Sequence, residues 1–378
     1  MRFLLVASFP DSIVQFRGAL ISALRIAGVE VHVAAPGLLG RDSVRTELER
    51  LGATVHSISL DRVGTNPIGD ALSFLSLFNL MRSVRPNTVL CYTVKPVIYG
   101  SLAAWLARVP RRFALITGLG YAFTAERKGI LSKIVRYLYA FVLRRVEKVF
   151  FQNPDDEALF RRSRILLSSV PSVVVNGSGV EVVDFAVRAM PAGRTVFLMI
   201  GRLLGDKGVR EYAAAAKLVR KTYPDVRCLL VGWIDDNPDS IVESELDSWV
   251  AEGDIEFLGR LEDVRPAIAS CNVYVLPSYR EGTPRTVLEA MAMGRPVITT
   301  DAPGCRETVV DGENGFLIPT KSVDALVVAM KHFVDDPFLA QKMGARSRLI
   351  AVNKYDVHKV NALMLREMGI LNDGGAPR

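Results

Sequence analysis

The 378-residue chain is 49% apolar and 23% charged, a composition typical of folded globular proteins and not of disordered chains. Its length exceeds one ordinary hydrophobic core, so we expect two domains of about 180 residues each. Four cysteines without a C-x-x-C spacing argue against a disulfide framework, and the lack of a run of about 18 apolar residues argues against a membrane span.

The net charge of +7 is unevenly distributed along the chain. Residues 1–180 carry 23 Lys and Arg against 12 Asp and Glu, whereas residues 181–378 carry 24 against 28. A basic first half indicates an anionic partner for that half. Because no nucleic-acid-binding motif occurs, we expect no nucleic acid, and an anionic membrane surface or a lipid diphosphate on it fits better.

In the first half, short apolar runs alternate with longer helical patterns, which predicts an α/β domain with a parallel sheet. The helical pattern at residues 12–27 ends before Gly28. The predicted strands are residues 3–7, 29–34, 54–58, 88–92, 113–117, 149–151 and 173–175.

Ligands of such sheets bind beyond the carboxyl ends of the strands, so the loops there are the expected positions of functional residues. The loop after the first strand lacks glycine, which argues against a dinucleotide site. Lys95 precedes Pro96 at a predicted helix start, where it either meets a diphosphate or is a solvated lysine. After the strand that ends at Thr117, Gly118-Leu119-Gly120 is a turn that either approaches a substrate closely or is only a turn.

Two segments have the pattern of interfacial helices. Residues 126–148 combine an apolar face with basic residues that include Arg127 and Lys128, and residues 72–81 are a second candidate. A helix that packs on the core and exposes basic residues would have almost the same sequence pattern.

The second half repeats the alternation after a glycine-containing junction at residues 176–180. Its first loop, residues 201–208, contains Gly201, Arg202 and Lys207, and its two cations precede a helix and suit a diphosphate. Incidental basic residues at a helix start are the alternative. The predicted strands are residues 195–200, 226–231, 255–258, 273–276, 296–299 and 315–318.

The stretch at residues 278–300 reads as loop, helix and strand, with Thr283 predicted as N-cap and Pro284 as the first helical residue. Glu281 in the loop and Glu289 in the helix lie eight positions apart, too far for one chelating pair. Each glutamate would contact a different part of one extended ligand with hydroxyls at both ends and phosphate between them, unless both are solvated surface residues.

The sequences G-R-L-L-G-D-K-G, R-E-G-T-P-R-T-V-L-E-A-M-A-M-G-R-P-V-I and D-G-E-N-G-F-L-I-P resemble the retaining glycosyltransferases of family four. This resemblance implies the GT-B fold, in which two Rossmann-like domains face each other across a cleft. It implies an acceptor-binding, membrane-docking domain at residues 1–180 and a nucleotide-sugar-binding domain at 181–354. A last helix with a flexible tail, residues 355–378, would cross back to the first domain.

The resemblance also implies roles for single residues. Arg202 and Lys207 would bind the donor diphosphate, Glu281 the donor sugar, Glu289 the ribose and Arg260 the base. The catalytic residues would be Glu281, Lys207 and Arg202, and Lys95 with the Thr117 turn would meet the acceptor. The remaining donor-binding residues would be Gly201, Gly282, Thr283, Pro284, Arg285 and Thr286; acceptor contacts would be Lys95, Thr117, Gly118, Arg127 and Lys128.

Y-T-V-K-P-V-I-Y-G, I-T-G-L-G-Y-A-F and N-G-S-G-V resemble the subgroup that adds N-acetylated sugars to undecaprenyl-diphosphate carriers. This implies a UDP-sugar donor, a polyprenyl-diphosphate-linked glycan acceptor, and a cytoplasmic enzyme peripheral on the inner face of the cell membrane. No metal and no cofactor are implied, and Asp235-Asp236 would be a surface or turn pair.

Many family members carry a histidine near the reacting sugar, but histidines 32, 56, 332 and 358 fall in predicted strands or helices. A nucleotide-sugar 2-epimerase and a catalytically silent nucleotide-sugar or lipid-diphosphate binding subunit remain as alternatives.

Overall fold

The computed structural model describes residues 1–61, 66–118, 130–235, 237–372 and 374–375. The chain forms two compact units. The first consists of Met1–Ser178 together with His358–Arg378, and the second consists of Gly179–Val357. Each unit has one parallel β-sheet covered by helices.

The sheet of the first unit has the order β3-β2-β1-β4-β5-β6-β7. Its strands are β1 Arg2–Val6, β2 Glu30–Pro36, β3 Ala53–Ile58, β4 Thr88–Tyr92, β5 Arg111–Ile116, β6 Lys148–Phe151 and β7 Ser172–Val174. Its helices are α1 Pro10–Ile26, α2 Asp42–Arg50, α3 Pro67–Val84, α4 Ser101–Leu106, α5 Ile130–Leu143 and α6 Pro154–Arg162, with a π-helical turn at Pro96–Gly100.

Two apolar cores flank this sheet. One contains buried residues of α3, α4, α5 and α6, and the other contains those of α1 and α2. The second core also includes Met364, Leu365 and Met368 from the end of the chain. Lys148 Nζ lies 2.5 Å from Glu367 Oε2, an ion pair that ties this last segment to β6.

The sheet of the second unit has the order β10-β9-β8-β11-β12-β13. Its strands are β8 Val196–Arg202, β9 Arg227–Trp233, β10 Glu256–Phe257, β11 Val273–Leu276, β12 Val297–Thr300 and β13 Gly315–Ile318. The helices are α7 Val209–Thr222, α8 Glu243–Ala251, α9 Arg265–Ala269, α10 Arg285–Ala292, α11 Val323–Asp335 and α12 Pro337–Ile350. The next helix, α13 Val357–Glu367, belongs to the first unit from His358 onwards.

Both sheets have the Rossmann order, in which the strand order reverses beside the first strand. The reversal lies between β1 and β4 in the first unit and between β8 and β11 in the second. Loops that leave the two strands on either side of a reversal diverge and open a crevice, so these loops are the expected ligand positions.

The predicted strands are all present, and their ends lie within two residues of the prediction. The predicted α/β class is therefore confirmed. The four cysteines are buried and free, as expected for core cysteines. Among the described helices, none combines the length and apolar character needed to cross a membrane.

The start of α10 differs from the prediction by one residue. Pro284, not Thr283, is the N-cap, and the helix begins at Arg285. Pro284 keeps an extended ψ of 110°, so its carbonyl oxygen is the first helical acceptor and receives the N–H of Val287 at 3.1 Å.

Candidate functional site

In the second unit, the loops that follow β8 and β11 are joined at the strand reversal. The Tyr279 N–H donates to the Asp206 carbonyl oxygen at 2.8 Å, and the Ser278 hydroxyl donates to the same oxygen at 3.1 Å. Gly208 has a φ of 74°, and a Cβ there would lie 2.2 Å from the Pro277 carbonyl oxygen. The glycine therefore permits a close approach of the two backbones that no other residue would allow.

The joined loops bring Lys207 and Glu281 into an ion pair. Lys207 Nζ lies 2.5 Å from Glu281 Oε1, and each side chain is only 16% exposed. Burial by itself lowers the pKa of the Lys207 ammonium, but the Glu281 and Asp206 carboxylates outweigh burial and raise it. Lys207 is therefore a fixed positive charge at neutral pH, held at the carboxyl edge of the sheet.

Arg202, at the end of β8, forms a second ion pair at this edge. Its Nη1 lies 3.0 Å from Asp235 Oδ2, which follows β9. Asp235 was expected to be a surface or turn residue. Its side chain is 21% exposed and accepts the Asn237 N–H, and it also compensates the Arg202 charge. Asp236 lies outside the described residues.

The Glu281 loop is held from its other side by the turn after β12. The Glu281 N–H donates to the Pro303 carbonyl oxygen at 2.9 Å. Gly304 has a φ of 82°, and a Cβ there would lie 2.2 Å from the Glu281 carbonyl oxygen. The position of Glu281 thus depends on backbone contacts with the loops after β8 and β12.

Helix α10 begins directly after this loop and buries Glu289, which is 6% exposed. Glu289 Oε1 accepts a hydrogen bond from Arg285 Nε at 2.8 Å. Burial raises the pKa of the Glu289 carboxyl, and the nearby Arg285 guanidinium only partly offsets this. A buried carboxylate in the second turn of this helix is suited to accept hydrogen bonds from ligand hydroxyls.

Tyr274 connects α10 to the centre of the sheet. Its hydroxyl oxygen lies 2.6 Å from Thr286 Oγ1 and 3.1 Å from the Ile200 carbonyl oxygen in β8. Thr286 was predicted as a donor-binding residue, and the structure gives its hydroxyl a buried partner on β11. The remaining predicted residues of this stretch, Gly282 and Thr283, belong to the loop between Glu281 and α10.

Arg260 lies farther along the same unit, after β10. Its guanidinium stacks over the Trp233 ring at 4.8 Å from the ring centre. Both residues line a groove of about 470 Å³ together with Gly232, Phe257 and Gly259. Gly201, predicted as a donor-binding residue, lies within β8 opposite Gly232 of β9.

In the first unit, Lys95 forms an ion pair at the carboxyl edge of the sheet. Lys95 Nζ lies 2.7 Å from Asp70 Oδ1, and the Tyr99 hydroxyl donates to Asp70 Oδ2 at 2.8 Å. Sequence reasoning missed Asp70 because it lies in the first turn of α3, without any pattern that links it to Lys95. The result is a part-buried group of one carboxylate, one ammonium and one phenol.

A second polar contact joins the loops after β1 and β4. The side-chain oxygens of Ser8 and Thr93 lie 2.7 Å apart. Thr93 has a φ of 70°, a rare conformation for a β-branched residue that is associated with functional sites. Both residues directly follow predicted strands, and this position is the sequence feature that could have identified them as candidate site residues. Thr117 and Gly118 follow β5, whereas Arg127 and Lys128 lie outside the described residues.

Among the described residues, no group of three or more His, Cys, Asp and Glu side chains is arranged to hold a metal ion. His32, His56, His332 and His358 lie in strands or helices, as predicted.

Two Rossmann-like units with charged side chains at the strand reversals are the architecture of the GT-B fold. Solved structures of this fold match nearly the whole chain. Sucrose-phosphate synthase from Thermosynechococcus elongatus has a TM-score of 0.79 at 18% identity and covers 97% of this chain and 98% of its own. Anabaena HepE in complex with UDP has a TM-score of 0.78 at 19% identity and covers 98% and 100%.

Sequence comparison then gives the family. Residues 4–153 match the family described as Glycosyl transferase 4-like, and residues 194–336 match Glycosyl transferases group 1. The chain belongs to the family-four glycosyltransferases with the GT-B fold.

Two curated relatives match over most of their length. N,N'-diacetylbacillosaminyl-diphospho-undecaprenol alpha-1,3-N-acetylgalactosaminyltransferase of Campylobacter jejuni is 26% identical and covers 86% of this chain and 87% of its own. UDP-Gal:alpha-D-GlcNAc-diphosphoundecaprenol alpha-1,3-galactosyltransferase of Escherichia coli is 26% identical and covers 77% of each.

Proposed function

We propose that this glycosyltransferase moves an N-acetylhexosamine, such as GalNAc, from a UDP-sugar to a polyprenyl-diphosphate-linked sugar in bacterial glycan assembly. The observation that most directly supports this proposal is the Lys207–Glu281 ion pair, which lies with Arg202 at the strand reversal of the second unit. The names of the Campylobacter and Escherichia relatives support the acceptor class, and both describe sugar transfer to undecaprenol diphosphate glycans.

The donor diphosphate would bind at Arg202 and Lys207. Each cation is paired with a carboxylate in the free protein. When the diphosphate binds, each cation would therefore exchange its carboxylate partner for a phosphate oxygen. Glu281 would turn to a sugar hydroxyl and Glu289 would accept from the ribose. Backbone N–H groups between Gly282 and Thr286, near the start of α10, would meet the donor's oxygens.

The Arg260 groove has the chemistry to receive the nucleobase. It presents an aromatic ring and a guanidinium face, and its backbone includes two glycines. A flat base can stack on such surfaces while backbone groups accept and donate hydrogen bonds.

We propose transfer with retention and without a metal ion. The bond between the anomeric carbon and the donor phosphate oxygen breaks, and the acceptor hydroxyl oxygen bonds to the same face of the anomeric carbon. The acceptor's proton passes to the departing phosphate oxygen, which then carries it away with the nucleotide. Lys207 and Arg202 stabilise the negative charge that develops on the diphosphate.

The acceptor would bind to the first unit, with Lys95, Thr117, Gly118, Arg127 and Lys128 as candidate contacts. The surface for an anionic membrane, on the cytoplasmic side, would be formed by α3 and α5. Ile68, Leu72 and Leu75 of α3 are 73%, 53% and 50% exposed, with the spacing of one helical face. Exposed residues of α5 include Ile134 and Tyr137 beside the basic residues Lys133 and Arg136.

The test is a metal-free panel of UDP-, GDP- and ADP-sugars with short-chain polyprenyl-diphosphate-sugar acceptors, followed by nucleotide release and acceptor mass. We expect a mass gain of one N-acetylhexosamine with a UDP-sugar, and NMR of the product would show the anomeric configuration of the donor. Interconversion of the free UDP-sugar would favour a 2-epimerase instead, and binding without turnover would favour a silent subunit.

A further inference from the structure

A pocket of about 360 Å³ lies at the opposite end of the first sheet from the candidate acceptor residues. It is formed where α3 and α4 end and the chain turns into β4 and β5. Three arginines line it, Arg82, Arg85 and Arg108, and its lining contains no acidic residue. The pocket therefore concentrates positive charge in a concave surface.

The three arginines of the pocket have no acidic partner among the described residues, whereas several other basic residues of this unit are paired. Arg2, Arg41 and Arg111 form ion pairs with Glu30, Asp11 and Glu147. The structure records no side-chain hydrogen bond or ion pair for Arg82, Arg85 or Arg108 with any described residue. Three uncompensated guanidiniums in one pocket are suited to an anion with several oxygens, because each guanidinium can donate two parallel hydrogen bonds.

The backbone gives an independent indication. Arg85 has a φ of 49° and Arg108 a φ of 57°, so both adopt the left-handed conformation that favours glycine at the end of a helix. The chain thus carries arginine at two strained positions, and both side chains line the same pocket. Strain of this kind is associated with ligand-binding positions.

The surface next to the pocket indicates the source of the anion. Trp105 and Leu106, at the end of α4, are 39% and 47% exposed. A tryptophan with an adjacent leucine and a group of arginines is the combination found at the boundary between lipid headgroups and acyl chains.

We propose that the arginine pocket binds the phosphate group of an anionic phospholipid, with Trp105 and Leu106 entering the headgroup boundary beside it. The inference rests on the proposed function only in placing the enzyme at a membrane. The pocket lining includes none of the proposed donor and acceptor residues, so it would provide a second membrane contact that does not use them.

The test measures sedimentation of the full chain with vesicles of phosphatidylcholine alone or mixed with phosphatidylglycerol. Arg85→Gly/Arg108→Gly removes two guanidiniums and places glycine where the backbone favours it, so the variant should melt no lower than the wild type. We expect its affinity for the mixed vesicles to fall roughly tenfold or more. Arg82→Gln should also weaken binding without any change of backbone conformation.

The matched control is Arg162→Gln/Arg164→Gly, which removes the same charge from the end of α6. Arg164 also has a left-handed φ, 55°, but does not line the pocket. We expect the control to bind vesicles like the wild type. Equal weakening by the control, or unchanged binding by the pocket variants, would overturn the proposal.

Two further measurements separate the alternatives. Calorimetry with inorganic phosphate tests whether the pocket binds a soluble anion. The lipid assignment would be overturned if the wild type bound phosphate saturably, the Arg85→Gly/Arg108→Gly variant did not, and the wild type showed no preference for the mixed vesicles. Transfer to a water-soluble acceptor should be the same in this variant and the wild type. If neither the variant nor the wild type transferred a sugar but vesicle binding was as expected, the proposed function would be rejected and the lipid-binding pocket would remain supported.

Discussion

Lys207 and Glu281 are separated by 74 positions in the chain, yet their charged atoms lie 2.5 Å apart. The contact exists because Lys207 follows β8, Glu281 follows β11, and these two strands are neighbours at the reversal of the sheet. The pair therefore links the two loops that would hold opposite ends of a sugar diphosphate.

The first prediction concerns this pair. Glu281→Gln keeps the side-chain volume but removes the charge, so the variant would lose the proposed sugar contact and leave the part-buried Lys207 without its carboxylate partner. We expect kcat/KM for transfer to fall about 100-fold or more and the free energy of unfolding to fall by about 1 to 3 kcal/mol. Steady-state kinetics and urea unfolding measure the two effects.

The control is Glu252→Gln, which breaks the pair that Lys217 forms on the same unit with side chains 49% and 47% exposed. Exposed pairs contribute little, so both quantities should stay near the wild-type values. Wild-type kcat/KM in Glu281→Gln would remove Glu281 from the proposed site.

A second prediction follows from the raised pKa of Glu289. The folded carboxyl keeps its proton to higher pH than the unfolded one, whose ordinary value is 4.5. As pH rises above that value the unfolded state loses its proton first, so this group lowers the stability of the folded state until the folded carboxyl has also ionised. Glu289→Gln removes this effect. The difference between the melting temperature of the variant and that of the wild type should therefore shift in favour of the variant as pH rises above 4.5.

The same substitution should weaken donor binding. A glutamine cannot offer a charge-assisted acceptor to ribose hydroxyls, so we expect the KM for the nucleotide-sugar to rise roughly tenfold or more. A variant with unchanged KM would show that Glu289 serves only the fold. A difference in melting temperature that did not change with pH would contradict the raised pKa.

The third prediction tests the support of the Glu281 loop. In Gly304→Ala the new Cβ would lie 2.2 Å from the Glu281 carbonyl oxygen, so the loop must move. Gly312→Ala is the matched control, because Gly312 has a similar φ of 75° with no atom within 4 Å of the added Cβ. The control should lose only about 1 kcal/mol of stability and keep its activity. Gly304→Ala should lose more stability and most of its transfer activity, as measured by urea unfolding and kinetics.

A fourth prediction concerns the exposed face of α3. Leu72→Ser/Leu75→Ser removes two half-exposed leucines, each worth on the order of 1 kcal/mol when inserted into a lipid interface. Vesicle affinity should fall roughly tenfold or more, while transfer to a water-soluble acceptor is unchanged. Leu349→Ser, on α12 of the other unit and 53% exposed, is the control and should bind vesicles normally. Equal vesicle binding by the α3 variant and the wild type would refute docking through this face.

The order of strands and helices was predictable because it depends on local pattern. Apolar runs bounded by glycine and proline located the strands, and the loops after β8 and β11 were recognised from their glycine, lysine and glutamate residues. The one-residue error at α10 has a local origin as well. A proline suits the first helical position, and only the backbone angle of Pro284 showed that the loop extends through it.

The partners of the charged residues were decided by the tertiary structure alone. Asp235 faces Arg202 because β8 and β9 are adjacent, and Asp70 faces Lys95 because α3 packs beside the turn that follows β4. No spacing along the chain encodes these contacts, since they depend on which strands become neighbours. The sequence by itself therefore determined the elements, the family and the loops that we propose carry the chemistry. The folded sheets determined which carboxylate neutralises each cation, because charge pairing acts through space between residues that are distant in the chain.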